Sequence, residues 1–357
     1  MIFMSKYWSR TVKNITPYTP GEQPKDRKYI KLNTNENPYP PSPRVIEAIK
    51  HAADETLRLY PDPLGEELRE TIADYCHLAK DNVFIGNGSD ELLAFSFLAF
   101  FEPAGRPLLF ADITYSFYPV YAAFFKTNYR LIPVDEEFDV PVAGYTQDNG
   151  GIIIANPNAP TGKGMPAEAI EAILRQNENS VVILDEAYVD FGGQSAIRFI
   201  NNYPNLLIIR TLSKSHSLAG LRVGYALGHP ELIAAIIRVK DSINSYTVDR
   251  LALAGAREAI KDISYFQETR SRIMQTRERV STRLTEMSFK VIPSLANFIF
   301  ITTAQCPASI LFQRLREKGI LVRYFNKPKI DNYLRVTIGT DAEMDAFLET
   351  IKDAAGL

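Results

Sequence analysis

One lysine, Lys214, sits among hydroxyls in the stretch TLSKSHSLAGLRVGY (211–225), and Arg222 follows it eight residues later. An apolar run, LLII (206–209), comes just before. An amine delivered to the end of a buried strand can attack a carbonyl, the more readily if burial or nearby cations depress its pKa. Thr211, Ser213 and Arg222 beside it are donors of the kind that hold a phosphate. Four further apolar runs end on comparable chemistry. Residues 83–85 lead into GNGSDE (86–91), which places Ser89 and Asp90 at the start of an apolar helix. Residues 108–110 lead into ADITYSFY (111–118), with Tyr115, and residues 152–155 into NPNAPTG (156–162), with Asn158. Residues 181–184 lead into DEAY (185–188), with Asp185 and Tyr188.

Taken singly, each group has an ordinary reading. A lone lysine is usually a solvated charge, Asp185 suits a helix cap, and Asn-Pro and Pro-Thr-Gly are turn chemistry. Their coincidence is informative because of the elements that must carry them. From about residue 65 short apolar runs alternate with stretches long enough for crossover helices, such as 167–176. That rhythm predicts an α/β fold: a large domain with a mostly parallel sheet sandwiched by helices. Ligands of such sheets collect outside the carboxyl ends of the strands. Residues 231–239 and 266–286 read as long helices. After about 288 the order is strand (297–302), helix (308–318), strands (320–324, 333–338) and helix (342–354), a smaller α+β domain. The proline-rich residues 1–45 read as an extended arm completing that domain, which puts the large domain at 46–285 and the small one at 286–357.

Bulk properties exclude several classes. A net charge of −2 without a basic patch argues against nucleic acid. The longest apolar run, 92–101, is far short of the ~20 residues of a membrane span, and the sequence MIFMSKYWSR shows no signal-peptide core. Two unspaced cysteines suggest a reducing compartment, the cytoplasm. Four scattered histidines predict no metal site. The segment GNGSDE is not the full glycine fingerprint of a dinucleotide fold, and no P-loop motif is present, so a nicotinamide dehydrogenase is disfavoured. A transcription regulator built on this fold would need a basic helix-turn-helix ahead of it, and the first ~45 residues show none.

Chemistry on a pyridine-aldehyde cofactor uses all five strand ends. Its aldehyde takes the amine, its ring nitrogen a carboxylate that keeps it protonated as an electron sink, and its phosphate the helix start, hydroxyls and arginine. Its ring oxygen takes a donor, and its ring face an aromatic wall.

At this point NENP (35–38), YP (60–61), GSDE (88–91), PNAPTG (157–162), DEAY, SK (213–214), GLR (220–222) and LRVTIG (334–339) together resemble the fold type I pyridoxal-phosphate aminotransferases over nearly the whole chain. NITPY (14–18) and LNTNEN (32–37) are most similar to the histidinol-phosphate branch of that family. The resemblance implies pyridoxal 5'-phosphate as cofactor, bonded to Lys214 and paired at its ring nitrogen with Asp185. Tyr188 would donate to the ring oxygen, Tyr115 would stack on the ring, and the backbone of Ser89 and Asp90 with Thr211, Ser213 and Arg222 would hold the phosphate. It further implies a homodimer in which Tyr60 reaches the partner's cofactor phosphate. Arg335 would bind the substrate carboxylate. Arg323, Asn35 and a partner-supplied Tyr18 would contact substrate. One position departs from the pattern: Ala159 stands where the family has an asparagine bonded to the ring oxygen, which leaves Asn158 as the nearest amide for that role. The implied reaction is transamination between histidinol phosphate and 2-oxoglutarate. Aromatic aminotransferases and threonine-phosphate decarboxylases share the scaffold and are the alternatives.

Overall fold

The computed structural model describes residues 5–356. The main sheet has seven strands: β1 (Val83–Gly86), β2 (Leu108–Ala111), β3 (Tyr129–Ile132), β4 (Gly151–Ala155), β5 (Val182–Asp185), β6 (Leu206–Thr211) and β7 (Gly224–Gly228). Their order is β1-β7-β6-β5-β4-β2-β3. β7 runs antiparallel to both neighbours, and the other pairings are parallel. β1, β2, β4, β5 and β6 are buried along their whole length, because helices cover both faces of the sheet. One face packs on Ile72, Ile170, Ala256 and their neighbours, the other on Leu93, Phe97, Tyr118 and Ile236.

Two of these strands were not apparent in the sequence. β3 is an edge strand exposed at three of its four residues, so it lacks a buried run. β7 begins and ends on glycine, which mutes any strand signal.

A four-stranded antiparallel sheet follows the 24-residue helix Ile263–Glu286. It consists of β8 (Lys290–Ile292), β9 (Phe298–Thr302), β10 (Arg323–Tyr324) and β11 (Leu334–Thr337), in the order β10-β11-β9-β8. Helices Ala308–Glu317 and Asp341–Ala355 bury Leu311, Leu315, Phe347 and Ile351 against it. The single strand expected over 320–324 is split. Ile320–Leu321 pairs in parallel with Ile30–Lys31, while Arg323–Tyr324 joins β11. The N-terminal segment is thereby sewn onto this second core, to which it contributes Leu32 and Tyr39. It is not extended throughout. Arg10–Asn14 is a short helix, and Pro43, at a helix first-turn position where its missing N–H costs nothing, opens the helix Pro43–Ala52 capped by Ser42.

Candidate active site

The carboxyl ends of the parallel strands open into a cavity of about 210 Å3. Lys214, Asp185, Tyr188, Tyr115, Ser89, Asp90, Thr211, Ser213 and Arg222 all line it. So do Tyr18, Asn35, Arg323 and Arg335, which come from the arm and the second sheet. Asn158, expected here, lies elsewhere, and Tyr60, expected at a partner's cavity, lies outside this one.

Strand alternation explains which side chains face the cavity. Asp185 ends β5 and points into it, so Glu186, the next residue, points away. Glu186 forms a buried ion pair with Arg210 of β6 at 2.9 Å, and its two oxygens also accept from the Ala196 N–H (2.8 Å) and the Ser195 hydroxyl (2.9 Å). A buried pair satisfied in this way fixes the register of β5 against β6 beneath the site. Asp185 itself is 5% exposed. The Tyr118 hydroxyl donates to it at 2.8 Å and the Ala187 N–H at 3.2 Å. Both partners are neutral, so burial dominates and pushes the carboxyl up to about 6.

Lys214 follows β6. The Asn37 amide donates to its carbonyl at 3.0 Å, and its own Nζ donates to the Thr34 carbonyl at 3.2 Å. Loss of water, helped by the charge of Arg335 and opposed by Glu36 and Asp90, lowers its ammonium to about 8. An amine in that range is half neutral near pH 8 and ready to react with a carbonyl.

A second group of lining residues has the chemistry of an anion cradle. Helix Gly88–Phe100 presents its free N–H groups there. Thr211, Ser213 and Arg222 flank them; the Thr211 hydroxyl donates to Ser213 at 3.0 Å. Gly224 is required by close approach: a Cβ there would sit 2.7 Å from the Ser89 nitrogen and from the Gly88 carbonyl carbon. Asp90 is held by Tyr115 (3.0 Å) and Arg222 (3.2 Å).

At the mouth, the Arg335 guanidinium donates to the Asn33 carbonyl at 2.9 Å and lies over the rings of Phe298 and Phe325. Its buried Nε has no partner among the described residues, and burial with the charge of Arg323 lowers its pKa. Arg323 donates to the Thr19 and Pro20 carbonyls at 3.1 and 3.3 Å.

One sequence expectation needs correction, that for Asn158. Asn158 does not reach the cavity. Its Nδ2 donates to the Ile113 carbonyl (2.8 Å) and to Thr161 (3.2 Å), and its Oδ1 accepts from Thr114 (2.8 Å). Both its donors are engaged within this loop and with the loop after β2, and Ala159 is the wall residue instead. Tyr18, expected from a partner, lines the cavity of its own chain, because the arm folds back and stacks it on Phe117 with centroids 4.5 Å apart. Tyr60 is 78% exposed and stacked on Tyr246 at 4.5 Å, outside the cavity. Reading by motif also missed Tyr118 and Thr34. Tyr118 was legible only as an aromatic three residues beyond Tyr115, and Thr34 acts through its backbone, which no side-chain pattern reveals.

Among the described residues no group of three or more His, Cys, Asp or Glu could hold a metal ion, and no helix is long and apolar enough to cross a membrane. Residues 27–351 match the family model for aminotransferase class I and II. A histidinol-phosphate aminotransferase of Clostridium acetobutylicum is 59% identical over 350 residues, covering 98% of this chain and 99% of that protein. One of Clostridium beijerinckii is 54% identical, covering 98% and 97%. Among solved structures, the histidinol-phosphate aminotransferase of Sinorhizobium meliloti in complex with pyridoxal-5'-phosphate superposes with a TM-score of 0.89 at 24% identity, covering 100% of this chain and 99% of that one. The fold, the cavity and these relatives agree: this chain belongs to the class I and II aminotransferases.

Proposed function

We propose that this enzyme is a histidinol-phosphate aminotransferase. It uses pyridoxal 5'-phosphate to move the amino group between L-histidinol phosphate and 2-oxoglutarate, giving imidazole acetol phosphate and glutamate in histidine biosynthesis. The observation that carries the reading is one cavity that joins an amine of depressed pKa, a buried carboxylate and two arginines.

The residues present fit the cofactor. Asp185 is a buried acid with only neutral partners and suits a cationic ring nitrogen. The helix start with Thr211, Ser213 and Arg222 suits a phosphate, and Tyr115 supplies a ring wall. When bound, the cofactor supplies an electron sink for the substrate's α-carbon. Lys214 would bond its aldehyde at rest and, once displaced by the amino donor, would carry the proton from the α-carbon as general base. Asp185 would keep the ring nitrogen protonated, Tyr188 would donate to the ring oxygen, and the backbone of Ser89 and Asp90 with Thr211, Ser213 and Arg222 would hold the phosphate.

Two substrates share this site. Glutamate brings carboxylates, and histidinol phosphate brings a phosphate in their place. Arg335 and Arg323, which both line the cavity, offer fork-shaped donors for either anion. Tyr18 and Asn35 complete the substrate side.

The same reading carries a cytoplasmic homodimer. Tyr60 and its neighbours Leu57 and Leu59 are exposed, as a partner-facing loop would be in an isolated chain. It also divides the chain into an arm (1–45), a cofactor-binding domain (46–285) and a small domain (286–357), of which residues 1–4 and 357 lie outside those described.

A half-reaction panel tests the function. Holoenzyme is mixed separately with histidinol phosphate, glutamate, phenylalanine and O-phosphothreonine while the cofactor's visible absorption is followed. Histidinol phosphate and glutamate should each discharge it. Faster discharge by phenylalanine, or release of carbon dioxide from O-phosphothreonine, would overturn the assignment.

A further inference from the structure

Ala159 leaves the cavity wall without the amide that would share the ring oxygen with Tyr188, and Asn158 is turned away. An amide does reach Tyr188 from the other side, and it comes from the arm. Asn35 is 1% exposed, with φ of 57°, a left-handed conformation that asparagine tolerates. Its Nδ2 donates to the Tyr188 hydroxyl at 2.9 Å.

The orientation of that amide is fixed by its other bonds. The Asn35 N–H donates to Thr337 Oγ1 at 3.0 Å, and the Thr337 hydroxyl donates in turn to Asn35 Oδ1 at 3.0 Å. The Asn35 carbonyl accepts from the Asn297 amide at 2.9 Å. The buried Thr337 hydroxyl already accepts from the Asn35 N–H, and Asn35 Oδ1 is the acceptor that the described residues offer its proton, so the NH2 group is assigned to face Tyr188. A phenol has one proton. Since Tyr188 accepts from Asn35, its own proton is free to point into the cavity, and no described residue accepts it. The Asn35 bond also polarises the O–H and makes it a stronger donor. The Tyr188 ring stands perpendicular to that of Phe298 at 5.0 Å, and Lys214 Nζ lies over its face at 5.9 Å.

We propose that Asn35 is a positioning residue that acts through Tyr188, holding its hydroxyl as a donor into the cavity, and that this pair takes the place of the wall amide that Ala159 lacks. The inference rests on the cofactor reading above. Its consequence is that Asn35 couples the arm and the second sheet to the electronics of the cofactor, although it need not touch it.

The test is the pH midpoint of the holoenzyme's visible absorption change, measured without substrate. A donor at the ring oxygen favours the form that has lost its proton, so weakening the donor raises the midpoint. Tyr188→Phe removes the donor and should raise it by about one to two pH units, the range expected for a hydrogen bond to a charged acceptor. Asn35→Ala should raise it by roughly half to one unit. Asn35→Asp, similar in size and still able to accept from Thr337, offers the phenol an acceptor and draws its proton out of the cavity. It should raise the midpoint at least as far. In the Tyr188→Phe background Asn35→Ala should add nothing. A wild-type midpoint in both Asn35 variants, or a full additive shift in the double variant, overturns the proposal. Absence of any pH-dependent visible band in the wild-type protein would instead overturn the cofactor reading, and this inference with it.

Discussion

Asp185→Asn is expected to change stability and cofactor retention in opposite directions. In the protein without cofactor, the Asp185 carboxyl is buried among neutral donors and sits at about 6, against an ordinary 3.8. A carboxyl whose native value lies above its unfolded value binds its proton more tightly in the folded state. Stability therefore falls as pH rises through that window and is level above it. The interval of about two pH units, at about 1.4 kcal/mol each, gives a penalty of about 3 kcal/mol at neutral pH. An asparagine carries no charge to desolvate. It can satisfy only one of the two donors, Tyr118 and the Ala187 N–H, and losing the other costs about 1 kcal/mol. The apo-variant should thus be more stable than apo-wild type by about 2 kcal/mol at pH 8, and slightly less stable at pH 4. With cofactor bound, the sign reverses, because the carboxylate then faces a cationic ring nitrogen that an amide cannot balance.

The assay is urea unfolding of cofactor-free proteins at equal concentration, from pH 4 to pH 8, with cofactor dissociation measured in parallel. A stability difference that does not change with pH would refute the reasoning. So would an apo-variant that is the weaker protein at pH 8.

Four further outcomes follow from the site. Lys214→Ala should still bind cofactor while turnover falls by several orders of magnitude, as measured by single-turnover absorbance. The rate at which apoenzyme captures pyridoxal phosphate should rise with pH around a midpoint near 8, where Lys214 loses its proton, and Arg335→Gln should move that midpoint upward by removing a neighbouring positive charge. Gly224→Ala drives a methyl into the Ser89 backbone nitrogen and should weaken cofactor affinity at least about tenfold by equilibrium titration, because a backbone contact cannot swing aside. Asn158→Ala should leave the visible pH profile unmoved yet lower the melting temperature, since the amide's bonds tie two loops together and do not reach the cavity.

Most of the main sheet was legible because five of its seven strands are buried on both faces and appear as unbroken apolar runs. β4, β5 and β6 fall within a residue or two of those runs. β3 and β7 escaped for opposite reasons. β3 is an edge with little to bury, and β7 has glycine at the end that must approach the helix start of the anion cradle. The split of 320–324 between two sheets could not be read locally, because its first half is defined by a partner strand almost three hundred residues earlier.

The site divides along the same line. Side chains set by strand ends were readable, since the position of Asp185 or Lys214 is a property of its own strand and the sheet brings those ends together. The choice between Asn158 and Asn35 was not. Asn158 adjoins the empty wall position in sequence, yet three partners from its own and the neighbouring loop, Ile113, Thr114 and Thr161, outcompete the cavity for its amide. Asn35 is more than a hundred and fifty residues from Tyr188, and its amide is aimed only because Thr337, on a strand three hundred residues further on, occupies the other end. A hydrogen-bonding side chain goes where its last unsatisfied atom is directed, and that direction is settled by the fold as a whole. Substitution at Ala159 therefore need not be compensated next door: any donor that can reach the Tyr188 hydroxyl and leave its proton free will serve.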